Sequence, residues 1–190
     1  MCIRDRSSLG PSLYYSRIAS SFHWMAAFPM VGCIGTVLYA QQAPKEEKGL
    51  WMFRHKSLGL LTGLIVAPRF LYRLTNNASY SIAPLQGNAA WENMAGSLSH
   101  TVLYAFMTVM PATGIAMGYY GGKGLPFFTT TIPGAEQVNG DIAKQAFQLH
   151  KQVGTYGKYL VPLHAGAATM HFARGQKIFT RINPFRVPRG

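Results

Sequence analysis

The chain has 190 residues, and only 13% of them are charged, against about 25% in ordinary soluble domains. Hydrophobic residues make up 48% although the net charge is +12, so the charges must lie in loops and tails between long apolar segments. This composition excludes an ordinary soluble globular domain. The basic residues gather at segment ends and are not interleaved with exposed aromatics, which excludes a nucleic-acid-binding platform.

Four apolar segments predict four membrane spans. Each is close to the ~20 residues that cross the hydrocarbon core, and none has the regularly spaced polar residues of a soluble bundle. They are Ile18–Ala40, Leu58–Leu74, Ser97–Tyr119 and Gln148–Ala173. The sequence therefore predicts an all-α integral membrane bundle over residues 18–174, between a polar N-terminal segment (1–17) and a basic C-terminal tail (175–190).

The first two predicted helices each carry a histidine near one end. The first helix follows Ser16 and has His23 about a turn and a half inside it. A polar loop, Gln41–Arg54, separates it from the second helix, which begins around Arg54 and His55. Residues 1–6 resemble a cloning scar, so neither structure nor function is predicted from them. Cys2 and Cys33 form no motif, so neither a disulfide nor a metal–thiolate site is predicted.

The second half of the chain is predicted to hold two more helices around one long loop. The third helix begins near Ser97, with His100 in its first turn and Pro111 in its middle. The longest loop, Gly121–Phe147, is predicted to lie along the surface. The stretch Phe147–Arg174 is predicted to form a single helix.

The predicted fourth helix presents histidines along one face. His150 and His164 are 14 residues apart, which on an α-helix is about 21 Å of rise and about 40° short of four turns. Gly154 and Gly157 lie between them and either clear a groove for a cofactor or allow close helix packing. One histidine towards each end of one face suits two stacked haems, one per leaflet.

Topology pairs these histidines with those of the other helices. Four spans place ten Lys and Arg residues on the side of the termini and seven on the other side, which favours termini in the cytoplasm or matrix. His55 and His150 then share the outer side, and His23 and His164 the inner side. Two imidazoles on each iron leave no open position, so both sites suit electron transfer.

The remaining inner-side residues have more than one interpretation. His171 shares the face of His164 and is its rival as inner ligand, while His100 is either a functional residue or an interhelical hydrogen-bond partner. Both are candidates for a quinone pocket or for contacts with a haem propionate. Arg69 and Arg73 either bind propionates or simply anchor the inner end of the second helix.

Short motifs occur along all four predicted helices. They are Tyr15-Ser-Arg-Ile, Ser21-Phe-His23-Trp24, Arg54-His55-Lys56-Ser-Leu-Gly59, Arg69-Phe-Leu-Tyr-Arg73-Leu, Leu98-Ser-His100-Thr-Val-Leu-Tyr104, Met110-Pro111-Ala-Thr-Gly114, and His150 followed by Leu163-His164-Ala-Gly-Ala-Ala and His171. In order and spacing, from Tyr14 to Arg174, the chain resembles the bacterial-type cytochrome b561 family, which includes b-type subunits of hydrogenases and formate dehydrogenases.

The resemblance implies a four-helix membrane cytochrome with two b haems, passing electrons between a donor on one face and the quinone pool. The family's ligand positions fall on His23, His55, His150 and His164. Leu149 stands where a Trp often precedes the third ligand, a change expected to affect packing and not ligation. Some members oxidise superoxide and reduce ubiquinone, whereas others relay electrons for a partner enzyme.

Three functions therefore remain open. The first is an oxidoreductase that takes electrons from a small diffusible donor and gives them to ubiquinone, as a superoxide oxidase does. The second is an electron-relay or structural subunit of a larger respiratory complex, with two haems or fewer. The third is a single-haem anchor of a quinone-linked dehydrogenase. All three predict contact with membrane lipid, in a bacterial or mitochondrial inner membrane.

Overall fold

The computed structural model describes residues 13–76 and 83–185. The start of the polar N-terminal segment and the last basic residues of the tail, including Arg186 and Arg189, lie outside the described residues. The elements in chain order are α1 (Arg17–Gln42), α2 (Lys45–Thr75), α3 (Ala90–Tyr120), β1 (Leu125–Phe127), β2 (Thr130–Ile132), α4 (Gly140–Gly157), α5 (Leu160–Ala173) and α6 (Ile178–Arg181). The prediction of a mostly helical fold is confirmed.

Helix α1 agrees with its predicted span to within two residues at either end. Ser16 is its N-cap, and the Ser16 side chain accepts a hydrogen bond from the amide of Ala19 at 3.1 Å. This satisfies one of the amides that have no partner inside the helix. The helix continues through Pro29 to Gln42.

Helices α2 and α3 begin earlier than predicted. The segment Gln41–Arg54 is not a loop, because α2 starts at Lys45, directly after Pro44, and carries Glu46 and Glu47 in its first turn. Acidic side chains there complement the positive end of the helix dipole. Helix α3 starts at Ala90, where the Glu92 carboxylate accepts from the Ala89 amide at 3.0 Å.

The early start of α3 also moves His100. It does not lie in the first turn, as predicted, but well inside the helix. His55 is likewise well inside α2.

The predicted loop Gly121–Phe147 is also corrected. It contains an antiparallel hairpin in which Leu125 lies opposite Ile132, followed by the first turns of α4. The hairpin is attached to α2 through the buried hydroxyl of Ser57, which accepts from the Phe128 amide at 3.0 Å and donates to the Pro126 carbonyl at 3.3 Å. The hairpin therefore covers the part of α2 around Ser57.

The stretch Phe147–Arg174 is not one helix. Helix α4 ends at Gly157 and α5 begins at Leu160, while Lys158 and Tyr159 keep right-handed helical backbone angles. The cause is Pro162, which has no amide to bond the Lys158 carbonyl and whose ring crowds it. The amide of Tyr159 bonds the Tyr156 carbonyl at 3.3 Å, one residue closer than in an α-helix.

Among the described residues, three helices are long and apolar enough to cross a membrane, namely α1, α2 and α3. Their buried contacts include a cluster of Ala26, Val66 and Met107. Large apolar side chains remain exposed on the outer faces, including Phe28, Leu64 and Leu98. Exposed apolar faces of this extent are typical of helices that contact lipid.

The residues after α5 fold back on the start of α1. The indole of Trp24 donates to the Ile182 carbonyl at 2.9 Å, and the Tyr15 amide donates to the Arg181 carbonyl at 3.1 Å. The Arg181 guanidinium donates to the carbonyls of Ala83 and Pro84 at 2.8 and 3.1 Å. The start of α1, the α2–α3 connection and the residues after α5 therefore meet at one end of the bundle.

Candidate haem-binding sites

Two of the six histidines form a pair near the hairpin end of the bundle, and we call them the outer pair. His55 comes from α2 and His150 from α4. Their ring centroids lie 6.2 Å apart, with the ring planes at 77°. The two side chains were predicted to lie at one depth on facing helices, and the structure brings them together.

Each ring of the outer pair has its Nδ1 atom engaged. His55 Nδ1 lies 2.9 Å from the backbone carbonyl of Cys33 on α1, and a carbonyl can only accept, so this nitrogen carries a proton. His150 Nδ1 lies 2.9 Å from the hydroxyl of Thr113 on α3. The bond of His55 leaves its Nε2 lone pair available, and a bonded Nδ1 is typical of metal-binding histidines. Sequence analysis missed both partners, and the only available signal was the position of Thr113 within a family motif.

A second pair, the inner pair, lies towards the chain termini. His23 of α1 and His164 of α5 have ring centroids 6.3 Å apart, with the planes at 52°. The ring of His100 on α3 lies 5.2 Å from that of His164. The structure therefore brings His100 into the inner cluster beside the pair that topology predicted.

The spacing of both pairs fits a haem iron between the two rings. A metal–imidazole bond is about 2 Å long, and the bonding nitrogen lies roughly 1 Å from the ring centroid, so two axial rings have centroids about 6 Å apart. The observed 6.2 and 6.3 Å fit this value. Among the described residues, no three His, Cys, Asp or Glu side chains form a group able to hold a single metal ion.

Arg69 supplies a buried positive charge at the inner cluster. Its side chain is 8% exposed and interacts electrostatically with the rings of His23, His100 and His164. Its Nη2 donates to the Tyr104 hydroxyl at 3.4 Å, but its Nε has no hydrogen-bond partner among the described residues. A buried cation with an unused donor is costly unless an anion binds it, and a haem propionate has the required charge.

Two further side chains extend this polar region. Ser20, one turn before His23, is 1% exposed, and its hydroxyl has no partner among the described residues. Arg73 lies one turn after Arg69, with its guanidinium 4.7 Å from the centroid of the Tyr104 ring. Sequence analysis missed Ser20 because a serine inside an apolar helix carries no distinctive pattern.

His171 lies apart from both pairs. Its Nδ1 is 2.6 Å from the side-chain oxygen of Gln176, whose amide nitrogen donates to the Gln86 carbonyl at 2.9 Å and to Asn88 at 2.7 Å. This chain of contacts ties the end of α5 to the α2–α3 connection. Among the histidine ring contacts of the described residues, it is His100 and not His171 that lies against His164.

The positions of Gly154 and Gly157 favour close helix packing over a groove for a cofactor. A Cβ on Gly154 would lie 3.2 Å from the Met110 side chain, and a Cβ on Gly157 would collide with the ring of Phe106. Both glycines therefore allow α4 to pack closely on α3. Gly114 of α3 lies beside the outer pair, but a Cβ there would make only an ordinary van der Waals contact with Cε1 of His150, at 3.5 Å.

Comparison with known proteins identifies the kind of site. A family model described as prokaryotic cytochrome b561 matches residues 14–184. Cytochrome b561 homolog 1 of Escherichia coli (strain K12) is 23% identical over 175 residues, which cover 90% of this chain and 98% of that protein. Probable superoxide oxidase CybB of Yersinia pestis is 24% identical over 158 residues, which cover 83% and 88%. The chain therefore belongs to the prokaryotic cytochrome b561 family and is an integral membrane cytochrome of the b type that transfers electrons.

Proposed function

We propose that the protein is a dihaem cytochrome that carries electrons across the bilayer from a donor on the outer face to the quinone pool. The observation that carries this proposal is the presence of two histidine pairs with nearly equal spacing, 6.2 and 6.3 Å, on different helices. Two such pairs towards opposite ends of a membrane bundle provide two steps for an electron.

The proposed iron ligands are His55 and His150 at the outer site and His23 and His164 at the inner site. Haem bound there would supply reversible one-electron chemistry, and two histidine ligands at each site would leave no position for oxygen. The protein fixes the orientation of the outer rings through the Cys33 carbonyl and the Thr113 hydroxyl. Arg69 and Arg73 are the proposed partners of the inner propionates, with the buried Nε of Arg69 as supporting evidence.

We further propose that α4 and α5 together form the fourth span. The residues between them keep helical backbone angles, and both helices contact α3. Four spans would bring the start of α1 and the residues after α5 to the same side of the membrane. These two parts of the chain do meet at one end of the bundle. The Lys and Arg distribution favours the cytoplasmic side of a bacterial inner membrane for that end.

Counting haem tests the proposed function. We expect about two haem b groups per polypeptide in the purified protein, because each histidine pair holds one iron. The measurement is a pyridine haemochrome assay against protein concentration determined by amino-acid analysis. A ratio of one would favour a single-haem anchor, and a ratio of zero would leave a structural subunit.

The electron donor is proposed to be a small anion such as superoxide. The family relative from Yersinia pestis has the printed name probable superoxide oxidase, and the outer side of this chain has exposed basic residues. These residues are Lys48, Arg54, Lys56 and Lys151. Positive potential around an entry site attracts anions and raises their association rate.

A relay or structural role in a larger respiratory complex is the second candidate function. The same exposed basic residues suit an acidic partner protein as well as a small anion. Quinone reduction by the purified single chain with superoxide as donor supports the first function. A strict requirement for a second protein supports the relay.

The quinone is proposed to bind at the inner end, near His100 and His171. A quinone headgroup needs hydrogen-bond partners at its carbonyls and a proton supply, with its tail in lipid, and such sites lie at interface depth. We expect His100→Gln or His171→Gln to slow quinone-dependent oxidation of the reduced haems about tenfold or more, with both haem spectra intact. Stopped-flow absorbance with a soluble ubiquinone analogue measures this rate. Normal rates in both variants, or labelling of the 121–147 region by a reactive quinone, would place the site elsewhere.

A further inference from the structure

We propose that Thr113 is a positioning residue that fixes the tautomer of His150 and lowers the potential of the outer haem. The inference rests on the proposed ligation of iron by His150. His55 Nδ1 lies 2.9 Å from the backbone carbonyl of Cys33 and 3.2 Å from the Cys33 thiol, whereas His150 Nδ1 lies 2.9 Å from the Thr113 hydroxyl. The Cys33 carbonyl stays in place when Cys33 is substituted, but substitution of Thr113 removes the hydroxyl beside His150.

The hydrogen bonds of the Thr113 hydroxyl determine which atom carries the proton. This hydroxyl has one proton to donate. It lies 2.7 Å from the Val109 carbonyl and 3.1 Å from the Met110 carbonyl, and both carbonyls can only accept. The proton of Thr113 is therefore directed to the backbone of α3, and its oxygen accepts from His150 Nδ1 at 2.9 Å. Nε2 of His150 then has the free lone pair that iron requires.

The surroundings hold the His150 ring in this position. Thr113 is 8% exposed, so water does not readily replace it. The ring also lies against Gly114 of α3, where a Cβ would be in ordinary van der Waals contact with Cε1 at 3.5 Å. The Met110 carbonyl also interacts with His150.

This hydrogen bond should be visible in the potential of the haem. A ring that donates from Nδ1 is a more basic ligand, and a more basic ligand stabilises oxidised iron over reduced iron. Thr113→Val keeps the shape of the side chain and removes the acceptor. The midpoint potential of the outer haem should therefore rise, and retention of that haem should weaken by about 10–100-fold, as for other partners of metal ligands.

The experiment is a spectroelectrochemical titration of the full chain in detergent or nanodiscs. Thr113→Val should raise the midpoint potential of one haem and leave the other, whereas Thr113→Ser should leave both. Thr62→Val is the matched control, because Thr62 is 4% exposed and donates to the Leu58 carbonyl at 2.8 Å in the same way. If Thr113→Val does not accumulate, Thr113→Cys offers a poor acceptor of similar size and should raise the potential less.

His150→Ala separates failure of this inference from failure of the proposed function. The haem that persists in His150→Ala should be the one whose potential is unmoved in Thr113→Val. Unchanged potentials in Thr113→Val, or an equal shift in Thr62→Val, would overturn the role of Thr113. Either result would leave the proposed ligation by His150 standing. Retention of both haems in His150→Ala would overturn the ligation on which the role depends.

Discussion

Replacement of either His55 or His150 by Ala is expected to remove the same haem, leaving the other haem in place. The ring centroids of these residues lie 6.2 Å apart, and a haem held there by both imidazoles would keep only one of them in either variant, which would weaken its retention. Haem content should fall from about two to about one per polypeptide in each variant. The double variant should be no worse than the single ones, because both substitutions act on one site.

The measurement combines haem content with a redox titration, so that the remaining haem is recognised by its potential. Leu149→Ala and Lys56→Ala are matched controls, since each lies beside one of the two histidines in sequence and is exposed. Both controls should keep two haems. Loss of different haems from the His55 and His150 variants would show that the pairing is wrong.

The histidine pairs were predictable because membrane depth restricts which side chains can meet. Once four apolar segments and their directions were assigned, His55 and His150 had to lie at one depth, and His23 and His164 at another. The structure brings the same pairs together at 6.2 and 6.3 Å. The pairing depends on segment direction and length, and it survives errors of several residues in the helix ends.

The predicted helix ends are wrong where a helix extends beyond its apolar part. The residues from Lys45 to Arg54 are polar and were assigned to a loop, yet they extend α2 beyond its apolar part. The same is true of the turns of α3 before Ser97, where Glu92 caps the helix. Hydropathy reports the length that lies in lipid, whereas a helix continues until its capping and its prolines stop it.

Two features of the site could not be obtained from periodicity. The break between α4 and α5 follows from Pro162, whose effect was overlooked within an apolar stretch. The contact of Thr113 with His150 and that of Cys33 with His55 join different helices. Such contacts depend on how each helix is rotated about its own axis. A single sequence, without covariation between positions, does not determine that rotation.

His23→Ala and His164→Ala are expected to share the loss of the other haem, while His171→Ala keeps both. The physical reason is the position of the rings, because His164 lies 6.3 Å from His23, whereas Nδ1 of His171 is 2.6 Å from the Gln176 side chain. Haem content should again fall from about two to about one per polypeptide in the first two variants. The surviving haem should have the potential of the outer site.

His100→Ala is the decisive comparison for the inner site, because the His100 ring lies 5.2 Å from that of His164. This separation is shorter than the roughly 6 Å expected across an iron with two imidazole ligands, so we expect His100→Ala to retain both haems. Among the inner histidines, only His23 and His164 should therefore both have the ring spacing of an iron site and lose a haem when either is replaced. Loss of a haem from His171→Ala without loss from His164→Ala would move the ligand two turns along α5, to the end tied to Gln176. Loss from His100→Ala with retention in His23→Ala would instead place the inner iron between α3 and α5.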